Sequence, residues 1–417
     1  MKRDYKIKIL ILVESLKVGG GSERFAAILG TELYNQGYDV SYLTLMDENP
    51  KFKFSGDYYT LNEGYIYGNP LKRGIDLFRY APRIKKVCED LEIETIIAVS
   101  EVSNFHAVLS RWLFGNKVRL ILSQHMNPEI FLDSPFKYRL IKFFYPRADE
   151  VVCVSKEVER ILNDTYGISN TLTIYNMMDM EKNINLSLEE IPEEYDEFFQ
   201  RKINENGKMK EEPFNFINVG RLTRQKGHWF LIRSFRQVVD EYPNAKLFIL
   251  GEGDLRSKLE DLIRELDLNE NVFLLGDQEN VFPFLANCDC FVFSSLWEGL
   301  PLSLIEALSV NLPVISTDCK TGPREILCPE LDLDETINYP YLGEHAILTK
   351  PFPNEIIFKP LNEVSVIESE EIMADVMIKM IEDPDMREKY TQGHLITENF
   401  AKEKIITQWN RLLKNKQ

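Results

Sequence analysis

The stretch Cys290-Phe291-Val292-Phe293-Ser294-Ser295-Leu296-Trp297-Glu298-Gly299-Leu300-Pro301-Leu302-Ser303-Leu304-Ile305-Glu306-Ala307-Leu308 decides the fold class. Four apolar residues form a run of strand length, a Ser/Gly/Pro turn stops it, and an apolar run of helical character follows. Pro301 suits the first helical position, where its missing N–H costs nothing. Glu298 then lies in the turn and Glu306 in the helix's second turn. Strand, tight turn and helix make one βα unit, and the same alternation recurs outward in both directions. Strands are predicted at 7–13, 40–45, 95–99, 118–123, 150–154 and 171–175, and again at 214–219, 245–250, 271–275, 290–293, 313–316 and 345–349. Such repetition predicts an α/β protein with two Rossmann-like, doubly wound domains facing across a cleft.

A chain of 417 residues, 44% hydrophobic, is too long for one core and too apolar for disorder. The reading divides it into domains at 1–180 and 214–390, an acidic linker or insertion at 181–213, and a C-terminal helix at 391–417 that packs back toward the first domain. Residues 1–180 carry 23 basic and 23 acidic side chains, so the whole net charge of -17 falls on the remainder. That balance argues against nucleic acid, whose phosphates call for a basic face. No secretory or membrane-spanning stretch is visible, and a cytoplasmic protein is expected. Six cysteines in a chain this long build no disulfide framework, and Cys288-x-Cys290 lacks a second metal-ligand pair.

In a doubly wound sheet, ligands bind at the carboxyl ends of the strands, so the loops that follow them carry the chemistry. After the first strand, Gly19-Gly20-Gly21-Ser22-Glu23-Arg24 would let backbone approach a ligand, with Ser22 as a helix cap. Arg24 stands where a dinucleotide fingerprint needs its third glycine, although Asp47 keeps a dinucleotide reading open beside a plain tight turn. After 214–219 comes Gly220-Arg221-Leu222-Thr223-Arg224-Gln225-Lys226-Gly227. Arg221 and Lys226, beside a positive helix terminus, suit a diphosphate; the alternative is two surface-loop cations. Glu298 and Glu306 are eight residues apart, about 12 Å along a helix, too far to share one proton or metal. They suit hydroxyls on separate parts of a long ligand. No Asp-x-Asp pair ends a strand, so neither a metal nor a cofactor is expected.

Glu298-x7-Glu306, with Gly299, Pro301 and Ala307 in place, resembles the signature of the retaining family-four glycosyltransferases of the GT-B fold. Gly220-Arg221-Leu222 with Gln225-Lys226-Gly227, and the Gly19-Gly20 turn with Glu23-Arg24, are similar to that family's other motifs in the right order. The resemblance implies a nucleotide-diphosphate sugar, most commonly a uridine diphosphate sugar, held by the second domain, and an acceptor held by the first. Arg221 and Lys226 would bind the diphosphate, Glu306 the ribose and Glu298 the transferred sugar. Backbone amides at Leu300–Ser303 would assist the phosphates, with Gly299, Leu300, Pro301, Leu302 and Ser303 all counted in the donor site. Gly20 would let the first domain close over them. His125, in Ser123-Gln124-His125-Met126-Asn127-Pro128, matches the family's histidine and would touch the donor sugar near the reacting carbon. One departure is the long polar run 328–344 after Thr321-Gly322-Pro323-Arg324-Glu325, where Glu325 is read as structural.

For the acceptor, 134–147 interleaves Lys137, Arg139, Lys142 and Arg147 with Phe143 and other apolar groups in one predicted helix. A basic amphipathic helix can lie on an anionic membrane, here the inner face of the cell membrane; the alternative is an ordinary half-buried helix with snorkelling cations. A second basic stretch runs from Lys72-Arg73 to Lys85-Lys86. The expected acceptor is a glycan or lipid-linked saccharide. Rival readings are a nucleotide-sugar epimerase or sugar-phosphate synthase on the same fold, a nicotinamide-dependent dehydrogenase, and a non-catalytic sugar-nucleotide-binding subunit.

Overall fold

The computed structural model describes residues 6–17, 20–46, 50–61, 70–132, 134–199 and 213–415. The chain splits into two units, Met1–Met177 with Lys402–Gln417, and Met178–Ala401. The first holds seven parallel strands: β1 (Lys8–Val13), β2 (Asp39–Thr44), β3 (Asp57–Thr60), β4 (Thr95–Val99), β5 (Arg119–Gln124), β6 (Glu150–Cys153) and β7 (Thr171–Thr173). Their order is β3-β2-β1-β4-β5-β6-β7. The second unit holds β8 (Asn215–Val219), β9 (Lys246–Leu250), β10 (Val272–Gly276), β11 (Cys290–Phe293), β12 (Val314–Thr317), β13 (Tyr341–Leu342) and β14 (Ile347–Thr349). Its order is β10-β9-β8-β11-β12-β14-β13, parallel except for β13. Both sheets reverse direction beside their first strand, between β1 and β4 and between β8 and β11, and such a reversal opens a crevice at the strands' carboxyl ends.

Burial on both faces explains why the strands are continuous apolar runs. Along β1, Ile9, Ile11 and Val13 enter one core while Leu10 and Leu12 enter the other. In the second unit Phe216, Leu247, Ile249 and Val292 pack with Trp229, Phe230 and Phe235 of the helix His228–Glu241.

Several expectations need correction. β3 and β13 were not predicted: β3 is a partly exposed edge strand of Asp and Tyr, and β13 is two residues long. The acidic segment is not simply a solvated linker in its described part. The Tyr195 hydroxyl donates to Leu275 O at 3.0 Å, and Phe199 meets Phe248 at 4.7 Å between centroids, so aromatic residues among the charges anchor it to the second unit. Residues 200–212 lie outside the described residues. The C-terminal helix expected at 391–417 is instead a 3-10 segment Thr391–Phe400 followed by the helix Lys402–Lys414. Only Lys402–Gln417 joins the first unit, with Trp409 fully buried in its core. In the 328–344 run, Arg324 is the anchor: it pairs with Asp318 and donates to the carbonyls of Asp332, Leu333 and Glu335.

Candidate functional site

The second unit gathers its charged residues at the reversal of strand order. Gly220 follows β8, and a Cβ there would lie 3.1 Å from Lys226 Cε, so its bareness makes room for the lysine stem. The turn Arg224–Lys226 is 3-10, and Gly227 closes it at φ 61°. A Cβ on Gly227 would stand 2.4 Å from Ser294 O, so that position combines a left-handed backbone with close approach. Lys226 is thereby pointed at the loop after β11, where its Nζ lies 2.7 Å from Glu298 Oε1 and 5.5 Å from the Phe293 ring centre.

Gln225, which the sequence reading quoted without a role, donates from Nε2 to Glu298 Oε2 at 2.9 Å and to Trp297 O at 3.0 Å. Thr321 Oγ1 donates to Glu298 O, and Glu298 N donates to Lys320 O at 3.3 Å. Glu298 is therefore held from both carboxylate oxygens and from its backbone. The signal for Gln225 was its place between the two cations, but its partner is 73 residues away. Arg221 is exposed, and among the described residues none takes a hydrogen bond from its side chain.

Glu306 is buried on the helix Leu302–Ser309. Pro301 is the N-cap of that helix and not its first residue, and no side chain caps the first turn. The N–H groups of Leu302 and Ser303 are thus left for an anion. Gly299, Leu300 and Pro301 are buried in the turn. His228, at the start of the helix His228–Glu241, is 1% exposed, with Nε2 2.9 Å from Asn218 Oδ1. Burial, with Lys226 nearby, pushes its pKa down to about 3.

In the first unit, Gly20 caps the helix Gly21–Asn35, so Ser22 sits inside the first turn and is not the cap. Gly19 and Asp47 lie outside the described residues. His125 follows β5, partly buried, with Nε2 2.9 Å from Ser123 Oγ and its ring 4.6 Å from Phe25. Phe25 in turn meets the buried Trp409 at 6.3 Å, so the C-terminal helix braces the histidine. Burial pushes the His125 pKa down to about 3, leaving a neutral imidazole at neutral pH.

The predicted helix 134–147 ends earlier, at Phe144, and a 3-10 turn Tyr145–Arg147 follows. Lys137, Arg139, Lys142 and Phe143 are exposed on it, while Ile141 and Phe144 are buried. Arg147 is folded back over the Phe143 ring, 3.7 Å from its centre. Trp112, unmentioned by the sequence reading, meets Phe143 edge-on at 5.1 Å and is 52% exposed. The side chains of Lys72 and Arg73 lie outside the described residues. No described helix is long and apolar enough to cross a membrane.

Two doubly wound sheets, one with a lysine–carboxylate pair beside a helix N-terminus without a side-chain cap at its reversal point, define the class of two-domain α/β proteins. Family comparison narrows the class. Residues 19–182 match the description "Glycosyltransferase Family 4", and residues 199–332 match "Glycosyl transferases group 1". A glycosyltransferase of Methanocaldococcus jannaschii is 44% identical over 83% of this chain and 85% of its own. An N-acetylgalactosamine-N,N'-diacetylbacillosaminyl-diphospho-undecaprenol 4-alpha-N-acetylgalactosaminyltransferase of Campylobacter jejuni is 32% identical over 76% of this chain and 83% of its own. Anabaena HepE, solved in complex with UDP, superposes with a TM-score of 0.72 at 18% identity, covering 98% of this chain and all of HepE. The chain belongs to the family-four glycosyltransferases and has the GT-B fold. Membership selects glycosyl transfer over the dehydrogenase reading.

Proposed function

We propose that the protein transfers a hexose or N-acetylhexosamine, with retention and without a metal, from a uridine diphosphate sugar to a lipid-linked saccharide in surface-glycan assembly. The observation that carries the donor half is the Lys226–Glu298 pair at 2.7 Å, with Glu298 buried and Lys226 partly so, set where the order of strands reverses. It places a cation and a carboxylate together, one suited to a phosphate and the other to sugar hydroxyls. Arg221 and the amides of Leu302 and Ser303 add positive charge for the departing diphosphate. As the bond from the sugar carbon to the diphosphate breaks, the acceptor hydroxyl attacks on the face being vacated and gives its proton to the departing diphosphate, which retains configuration. The neutral His125 can accept or donate one hydrogen bond near the sugar.

The uridine base is favoured by the UDP bound to HepE, and the lipid-linked acceptor by the name of the Campylobacter relative. The cytoplasmic, membrane-peripheral placement rests on the exposed Lys137, Arg139 and Lys142 beside Phe136, Phe143 and Trp112. Such a mixed face suits anionic headgroups and the interface beneath them.

A panel of nucleotide sugars, screened for protection against melting and for turnover in the presence of EDTA, tests the reading. Arg221→Ala and Lys226→Ala should lose the protection that the wild type gains; equal protection in all three refutes the diphosphate assignment. Flotation with anionic liposomes should fall for Arg139→Glu/Lys142→Glu, and unchanged flotation refutes the membrane face.

A further inference from the structure

The two sheets share a layout in which one strand on each side of the reversal point is followed by a functional loop. In the second unit Lys226 follows β8 and Glu298 follows β11, its neighbour across the reversal. The corresponding neighbours in the first unit are β1 and β4. The Gly20 turn follows β1, and Ser100-Glu101 follows β4. Glu101 opens the helix Glu101–Trp112, and its N-cap Ser100 holds φ 79°, ψ 159°. A side chain rarely adopts that region, so the serine is kept there by what surrounds it. β4 pairs with β5 so that Val99 stands opposite Ser123. Glu101 and His125 are therefore each two residues beyond a paired position, on adjacent strand ends.

Glu101 also terminates a polar chain. Asn104 Nδ2 donates to the Tyr145 hydroxyl at 3.1 Å, and that hydroxyl donates to Gln124 Oε1. Gln124 Nε2 then donates to Glu101 Oε1 at 2.7 Å and to Met126 O at 2.8 Å. One amide thus ties the carboxylate to the backbone on the far side of His125. Among the described residues, no side chain donates to Glu101 Oε2. Within the same chain Asn104 Oδ1, fully buried, has no partner either. Burial pushes the Glu101 carboxyl above the usual carboxylate range, opposed by its own backbone N–H and then by Gln124 and Lys137. Glu101 is only partly buried, and its Oε2 is not among the buried polar atoms without a partner, so that oxygen is not sealed in the interior and can accept from a ligand.

We propose that Glu101 binds a hydroxyl of the acceptor sugar through Oε2 and so sets acceptor specificity, as the first unit's counterpart of Glu298. The proposal rests on the transferase function proposed above. The Gln124–Tyr145–Asn104 chain fixes Oε1 beside the strand ends, and Oε2 takes no bond from a side chain among the described residues. A site built to receive a hydroxyl rejects strongly an acceptor that lacks it, because the carboxylate oxygen is then left unpaired.

The test is steady-state transfer from a UDP-sugar to polyprenyl-diphosphate-linked N-acetylhexosamine. For Glu101→Gln the acceptor KM should rise at least tenfold while the donor KM moves less than twofold. UDP should raise its melting temperature as much as it does for the wild type. Glu101→Asp, which keeps the charge, should recover part of the acceptor KM. An acceptor KM within twofold of wild type in Glu101→Gln overturns the proposal, as does a parallel rise of both KM values in both variants, the mark of a purely structural residue. A wild type that turns over no UDP-sugar refutes the proposed function itself, and donor-only hydrolysis distinguishes the two failures.

Discussion

Glu298→Gln should tighten the binding of UDP while impairing transfer of the sugar. Lys226 Nζ lies 2.7 Å from Glu298 Oε1, with side chains only 16% and 8% exposed. A phosphate oxygen accepting from the same ammonium sits about 2.8 Å from it, which by tetrahedral geometry is about 4.5 Å from the carboxylate oxygen. Two negative charges at that separation repel by about 4 kcal/mol at an effective dielectric of about 20. Opposing this, the carboxylate orders Lys226 in advance, and freeing the lysine restores up to about 2 kcal/mol of rotamer entropy that phosphate must then remove. Repulsion wins by about 2 kcal/mol, so UDP should bind on the order of 30-fold tighter to the variant. The transferred sugar loses its ionised hydrogen-bond acceptor at the same time, so kcat/KM should fall. Calorimetric titration of UDP into both proteins at one ionic strength measures the first effect, and initial rates measure the second. Unchanged or weaker UDP binding by Glu298→Gln would show that Lys226 does not hold the phosphate.

Three further outcomes follow from buried charge. His228 is neutral when folded, with a pKa of about 3 against about 6.5 in the unfolded chain. Below about pH 6.5 the unfolded chain takes up a proton that the folded one refuses, so stability is full above that pH and is lost as pH falls, by about 1.4 kcal/mol per unit for each such histidine. In melts from pH 6.5 to 4.5, His228→Gln should flatten the slope by one histidine's share, and an unchanged slope contradicts the assignment. Arg233 and Glu370 form a pair with both side chains at 0% exposure. Arg233 also donates to the carbonyls of Lys359, Val364 and Ser365, so Arg233→Leu should cost about 3–5 kcal/mol, read as a lower melting temperature, whereas a loss near zero refutes it. Arg324→Ala should release the 328–344 run, detected as new proteolytic cleavage there without loss of the core; an unaltered digest counts against the anchor.

How far the sequence could be read depends on the range of the interaction that fixes each feature. The central strands were legible because burial on both faces writes itself as an unbroken apolar run: Ile9 to Val13 needs no partner to be recognised. The edge strand β3 was not, because half its side chains face water and its Asp57-Tyr58-Tyr59-Thr60 carries no clear period. The acidic segment misled for a related reason, since charge block and aromatic anchor share it, and only the sheet shows that Phe199 has Phe248 to rest on. Within the site, chemistry was legible and pairing was not. Arg221, Lys226, Glu298 and Glu306 stand out by type and position, but nothing local says that Lys226 pairs with Glu298 or that Gln225 takes its other oxygen.

The same limit hid Trp112, 31 residues from the Phe143 it touches. Its contact alters the reading of the basic helix. Arg147 lies over both rings, so it stiffens an aromatic step and is not a freely reaching cation. In the proposed membrane reading the exposed cations facing headgroups are Lys137, Arg139 and Lys142, and the apolar part beside them comes from two helices. Charge and insertion are therefore separable at this surface. Reversing Arg139 and Lys142 should abolish the preference for anionic over neutral vesicles, because it removes the electrostatic attraction. Trp112→Ala should weaken binding to both kinds about equally, because it removes buried apolar area. Flotation against vesicles of graded anionic content separates the two slopes, and a Trp112→Ala variant that loses only the anionic preference would refute the division.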